Sequence, residues 1–65
     1  IIVEAERLKN PVLLLMNIEG KIIKTISSTN NSTFDIYRED LNNGIYLFKI
    51  MQGNDEVANG KVLVQ

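Results

Sequence analysis

The chain contains no cysteine and no histidine. The first absence excludes a disulfide and a thiolate metal site; the second removes the commonest metal ligand and general base. Charge of one sign is also scarce, with seven basic and eight acidic residues for a net charge of −1. Lys and Arg nowhere cluster into the basic stripe that nucleic acid requires. The longest apolar run, Val12 to Met16, is far short of the ~20 residues that cross a bilayer. Aromatics are limited to Phe34, Tyr37, Tyr46 and Phe48, and the four glycines are scattered singly rather than gathered into a phosphate-cradling loop.

What could still carry chemistry is thin. A nucleophile needs a base beside it, oriented by a third group. Ser27, Ser28, Thr29, Ser32 and Thr33 crowd one turn, with no imidazole to serve them. Glu39-Asp40 and Asp55-Glu56 are sequence neighbours, which point apart rather than converging on a glycosidic bond. Asp35, Glu39 and Asp40 offer oxygen ligands for calcium but lack the spacing and glycine of an EF-hand loop. Asn30-Asn31-Ser32 and Asn31-Ser32-Thr33 fit the glycosylation acceptor pattern, which an Asn-rich chain also produces by chance. The residues thus predict no enzyme, no metal or other cofactor, no small-molecule substrate and no nucleic-acid partner.

What is present is strand. At 65 residues the chain makes one domain, and such a domain buries only about 60% of its unfolded surface. Its stability rests on apolar side chains, 45% of the sequence, or on docking against a neighbour. Opening at Ile1 without Met and closing on an apolar run, it reads as a fragment of a longer protein. Lack of cysteine alone favours a reducing compartment. β-Branched residues crowd the apolar segments, and strand signals recur about every ten residues between turn formers. Strands are predicted at 1–6, 12–18, 21–27, 32–37, 45–51 and 56–64, the last disturbed at Asn59-Gly60. Gly20 is predicted to adopt positive φ in a hairpin with a bulge. The predicted class is all-β: a small antiparallel, immunoglobulin-like sandwich of about six to seven short strands.

Alternation places Tyr46, Phe48 and Ile50 on one face of the fifth strand, and Leu15, Phe34, Ile36 and Leu41 join them in the predicted core. The opposite face, Ile45, Leu47 and Met51, is apolar too, broken by Lys49. The second strand repeats this excess, with Leu13 and Leu15 set against Val12, Leu14 and Met16. A strand apolar on both faces is covered on both sides or lies in a contact. A receptor, a neighbouring domain and a dimer through these faces are all open.

The order of motifs is specific. Asn17-Ile18-Glu19-Gly20-Lys21 opens a β-branched strand; Phe34-Asp35-Ile36 follows; then come Asp40-Leu41-Asn42-Asn43-Gly44-Ile45-Tyr46-Leu47-Phe48-Lys49-Ile50 and a closing Gly60-Lys61-Val62-Leu63-Val64-Gln65. Over nearly its whole length this resembles the C-terminal sorting domain (type A) of proteins exported by the type IX secretion system of certain Gram-negative bacteria. The Tyr-Pro-Asn-Pro element that usually precedes the family's first strand is missing, and Asn10-Pro11 lies too late to replace it.

The resemblance implies a non-catalytic signal at residues 1–65, the end of a larger secreted protein. It implies export through the periplasm and outer membrane to the cell surface or medium, overturning the reducing-compartment reading. Implied partners are the outer-membrane secretion machinery, a sorting peptidase that removes the domain, and the parent cargo domain. The candidate recognition residues are Gly20, Lys21, Gly44, Tyr46, Lys49 and Lys61. For Gly20, Leu41, Gly44 and Tyr46 a folding role competes, Tyr46 being placed like the tyrosine of a tyrosine corner. For Lys21, Lys49 and Lys61 recognition competes with plain solvation. The alternative from another class is a sandwich binding or adhesion module of an extracellular multidomain protein, which would present aromatics on a flat face.

Overall fold

The computed structural model describes residues 2–4, 8–28, 30–38 and 41–65. They form six strands and no α-helix: β1 (Ile2–Glu4), β2 (Val12–Met16), β3 (Ile22–Ser27), β4 (Thr33–Asp35), β5 (Gly44–Gln52) and β6 (Asp55–Val64). All pairings are antiparallel. β1 pairs with β4 in a two-stranded sheet, and the other four make a sheet of order β3-β2-β5-β6. The all-β sandwich expected from the sequence is the fold. Of the expected strand and turn positions, Ile1, Ala5, Glu6, Arg7, Thr29, Glu39 and Asp40 lie outside the described residues.

The sheets meet through Leu13 and Leu15 of β2, Phe34 of β4 and Ile50 of β5, with Val62 and Val64 of β6 and Ile36 just beyond β4. Registration explains the set. Leu13 lies opposite Ile50 and Leu15 opposite Phe48; Tyr46 lies opposite Val62 and Gly44 opposite Val64. Because side chains alternate along a strand, one register puts all of these on one face. Of the expected core, Leu15, Phe34, Ile36 and Ile50 are fully enclosed, while Leu41, Tyr46 and Phe48 are partly buried against them. Leu13, Val62 and Val64 complete the core. Pro11, wholly buried, sits immediately before β2, where its missing N–H breaks no ladder bond.

The turns follow from their side chains. Asn17 N–H donates to Lys21 C=O and Gly20 N–H to Asn17 C=O, each at 3.0 Å. The Asn17 carboxamide oxygen accepts from the N–H groups of Glu19 and Lys21, also at 3.0 Å. Gly20 closes this turn at φ +87°, a conformation that costs a residue with a Cβ and suits glycine. At the β3–β4 tip the Asn30 carboxamide oxygen accepts from Ser32 N–H, Ser32 Oγ and Thr33 N–H. This is the Asx pattern that makes Asn a turn residue.

One expectation is corrected. The disturbance predicted at Asn59-Gly60 does not occur: Phe48 faces Gly60 and Lys49 faces Asn59 in regular register. The irregularity lies where Ile50 faces Ala58 and Met51 faces Glu56, which leaves Val57 as the extra residue of a bulge. Gly60 is glycine for a packing reason. A Cβ there would stand 2.7 Å from Cε2 and 2.8 Å from Cζ of Phe48, so the ring lies across the glycine on the neighbouring strand.

Candidate recognition surface

The four-stranded sheet has two faces, and the sequence-predicted residues divide between them. Tyr46 is on the core side. Its ring packs against the core cluster, and its hydroxyl donates to the Asn42 carbonyl at 2.8 Å. This ties the entry of β5 to the connection before it, as a tyrosine corner does. Leu41 packs beneath, its N–H donating to Arg38 C=O at 2.9 Å. Gly44 begins β5 at φ +149°, which a side chain rarely adopts. Gly20, Gly44 and Tyr46 are therefore each explained by a turn or a packed hydroxyl.

The lysines lie elsewhere. Lys61 is opposite Leu47 and Lys49 opposite Asn59, so both heads stand on the outer face as diagonal neighbours of adjacent strands. Lys49 Nζ is 3.5 Å from Glu56 Oε1 across the ladder. Lys61 has no ion pair among the described residues. Lys21 is exposed beside Ile22 at the start of β3. Ile22 faces Met16, Met16 faces Leu47 and Leu47 faces Lys61, so Lys21 and Lys61 flank one row across the sheet, about 14 Å apart at three strand spacings. The structure thus gathers Lys49 and Lys61 and places Lys21 apart from them, beside the opposite edge strand.

Around Lys49 and Lys61 the outer face is apolar. Val12, Leu14, Leu47 and Met51 are half-buried, and Met16 is almost covered. Ile22, Ile45 and Leu63 stay 52%, 53% and 59% exposed. The apolar excess of the second and fifth strands was visible in their sequences. Ile22 and Leu63 joined it only through pairing, and the alternation of Lys61-Val62-Leu63-Val64 was the signal that pointed to Leu63.

Catalytic arrangements are not assembled among the described residues. Ser28 Oγ accepts from Asn31 N–H at 3.0 Å, a turn bond rather than a nucleophile's. No group of three acidic, His or Cys side chains that could hold a metal occurs among the described residues. Of the calcium candidates, only Asp35 of β4 falls within them.

The described residues thus make a small antiparallel sandwich whose larger sheet is apolar on both faces. The family model for the secretion system C-terminal sorting domain matches residues 1–65, the whole chain. The chain belongs to that family, the sorting domains of type IX secretion. Such a domain marks its protein for export across the outer membrane, to the cell surface or the medium. No curated protein and no solved structure matches the chain.

Proposed function

We infer that residues 1–65 are a single C-terminal signal domain on a larger cargo protein, read by the outer-membrane secretion machinery and removed by a sorting peptidase on export. The observation that carries this reading is the family match over the whole chain. The outer face supports it: an apolar sheet surface carrying Lys49 and Lys61 gives a receptor both contact area and a charge pattern. Gly20, Gly44 and Tyr46 serve recognition indirectly, by holding the hairpin and the β5 entry that present this face. The domain itself performs no chemistry in this reading. It is bound and cut by others.

The test is export. A reporter carrying a signal peptide and ending in residues 1–65, with the upstream Tyr-Pro-Asn-Pro element restored, is expressed in a bacterium that has the type IX machinery. The reporter should reach the surface or medium, and its mass should show loss of the domain. Equal display by the reporter without the domain would overturn the sorting reading. Export without cleavage would overturn only the peptidase step.

A further inference from the structure

Among the described residues the four-stranded sheet ends in two unpaired edges, β3 and β6, and they are built differently. β3 is six residues long and carries a register shift, with Met16 facing Ile22 and Leu15 facing Lys24. Lys24 thereby lies on the core face beside Leu15, a charge turned toward the interior of the edge. A bulge and an inward charge are among the devices by which edge strands avoid pairing with other chains. β3 has both.

β6 is ten residues long and contains no proline. Its bulge lies at Val57 near one end, so Ala58 to Val64 run in unbroken register with β5. The residues directed inward over that stretch are Ala58, Gly60, Val62 and Val64, with no charge among them. Among the described residues no strand pairs with its outer side. Beside it lies an open groove of about 560 Å³ lined by Val3, Phe48, Ile50 and Ala58, with Glu4 and Asn59 as its polar members, among others.

We propose that the β6 edge is a docking site for an extended strand of a partner protein, with aliphatic residues turned into this groove and a carboxylate opposite Lys61. Unpaired backbone donors and acceptors in register specify a strand, and alternate side chains supply the specificity. The inward side chains of an added strand would enter the groove beside Ala58 and Phe48. On the outer face Lys61 is the central charge of the regular stretch, without an ion pair among the described residues, whereas Lys49 is matched by Glu56. That makes an acidic residue the complement. A second copy fits poorly, because antiparallel self-pairing over the full stretch from Ala58 to Val64 sets Lys61 directly against Lys61. The inference rests on the sorting reading only for the host of the strand, which it takes to be the receptor.

The experiment uses the isotope-labelled 65-residue chain and blocked peptides of about nine residues, alternating Val and Thr with one central Glu. Companion peptides carry Lys in place of Glu, or N-methyl groups on alternate amides. Amide hydrogen exchange should slow between Ala58 and Val64 and stay unchanged in Ile22–Ser27. The Glu peptide should bind about threefold to tenfold tighter than the Lys peptide, Lys61→Glu should reverse that order, and N-methylation on the bonding side should abolish protection. Protection at β3 instead, indifference to charge and N-methylation, or no protection at millimolar peptide would each overturn the proposal. So would a concentration-dependent dimer that protects β6 without peptide. None of these results depends on export, so failure here and failure of the sorting reading are separately visible.

Discussion

The two faces of the four-stranded sheet use the same residue types to opposite ends. Toward the core, Leu13, Leu15, Ile50, Val62 and Val64 are enclosed. On the outer side, Ile22, Ile45 and Leu63 are more than half exposed, although they belong to the same strands or their immediate neighbours. Burying a side chain of this kind is worth about 1.5–3 kcal/mol, so the inner set holds the domain together. The outer set gains little from folding and leaves an apolar surface that an isolated domain would do better without. The difference separates residues that hold the domain together from residues that its own folding leaves uncovered.

The sharpest way to break that division is inside. Phe34→Ala removes a wholly enclosed ring and should cost about 3–5 kcal/mol, read as a lower midpoint in urea. Because Phe48 is only half-buried, Phe48→Ala should cost less than Phe34→Ala in the same titration; equal losses would mean that the exposed side of Phe48 is covered in solution.

Gly60 sharpens the picture of Phe48. Gly60→Ala should destabilise by about 1–3 kcal/mol, since the new methyl meets the ring and overpacks it. In a Phe48→Ala background the same substitution should cost close to nothing, the non-additivity expected of residues in contact. Additive losses would show that the ring does not lie over the glycine.

A smaller effect belongs to the tyrosine corner. Tyr46→Phe keeps the ring and deletes the bond to Asn42, for an expected loss of about 0.5–1.5 kcal/mol. Amide exchange at the start of β5 should rise with it. A melting curve and exchange pattern identical to the parent would mean that water satisfies the carbonyl equally well.

These contrasts also show what the residues alone could convey. The Tyr46, Phe48 and Ile50 alternation and the Asn17 to Lys21 hairpin are local patterns, and both were legible because strand period and turn chemistry act over a few residues. The reason for Gly60 was not legible, because the ring that excludes a side chain sits twelve positions earlier, on the paired strand. Read locally, the glycine signalled a disturbance that the structure places at Val57. The bulge that turns Lys24 inward depends on pairing in the same way. The lysines of the candidate site were named from the motif. That Lys49 and Lys61 share a face, with Lys49 neutralised by Glu56, required the register.

The smallest expected change in stability decides the most. Ile45→Thr, Leu63→Thr and Lys61→Glu all lie on the exposed outer face, where single substitutions usually stay within about 0.5 kcal/mol. The direct measurement is the fraction of a type IX reporter reaching the surface when its sorting domain carries all three, beside the melting temperature of the same domain. The outer-face account predicts a domain that melts within a few degrees of the parent while the reporter stays in the periplasm. Normal export from a folded triple variant would contradict it, and would move recognition off this face of the sheet.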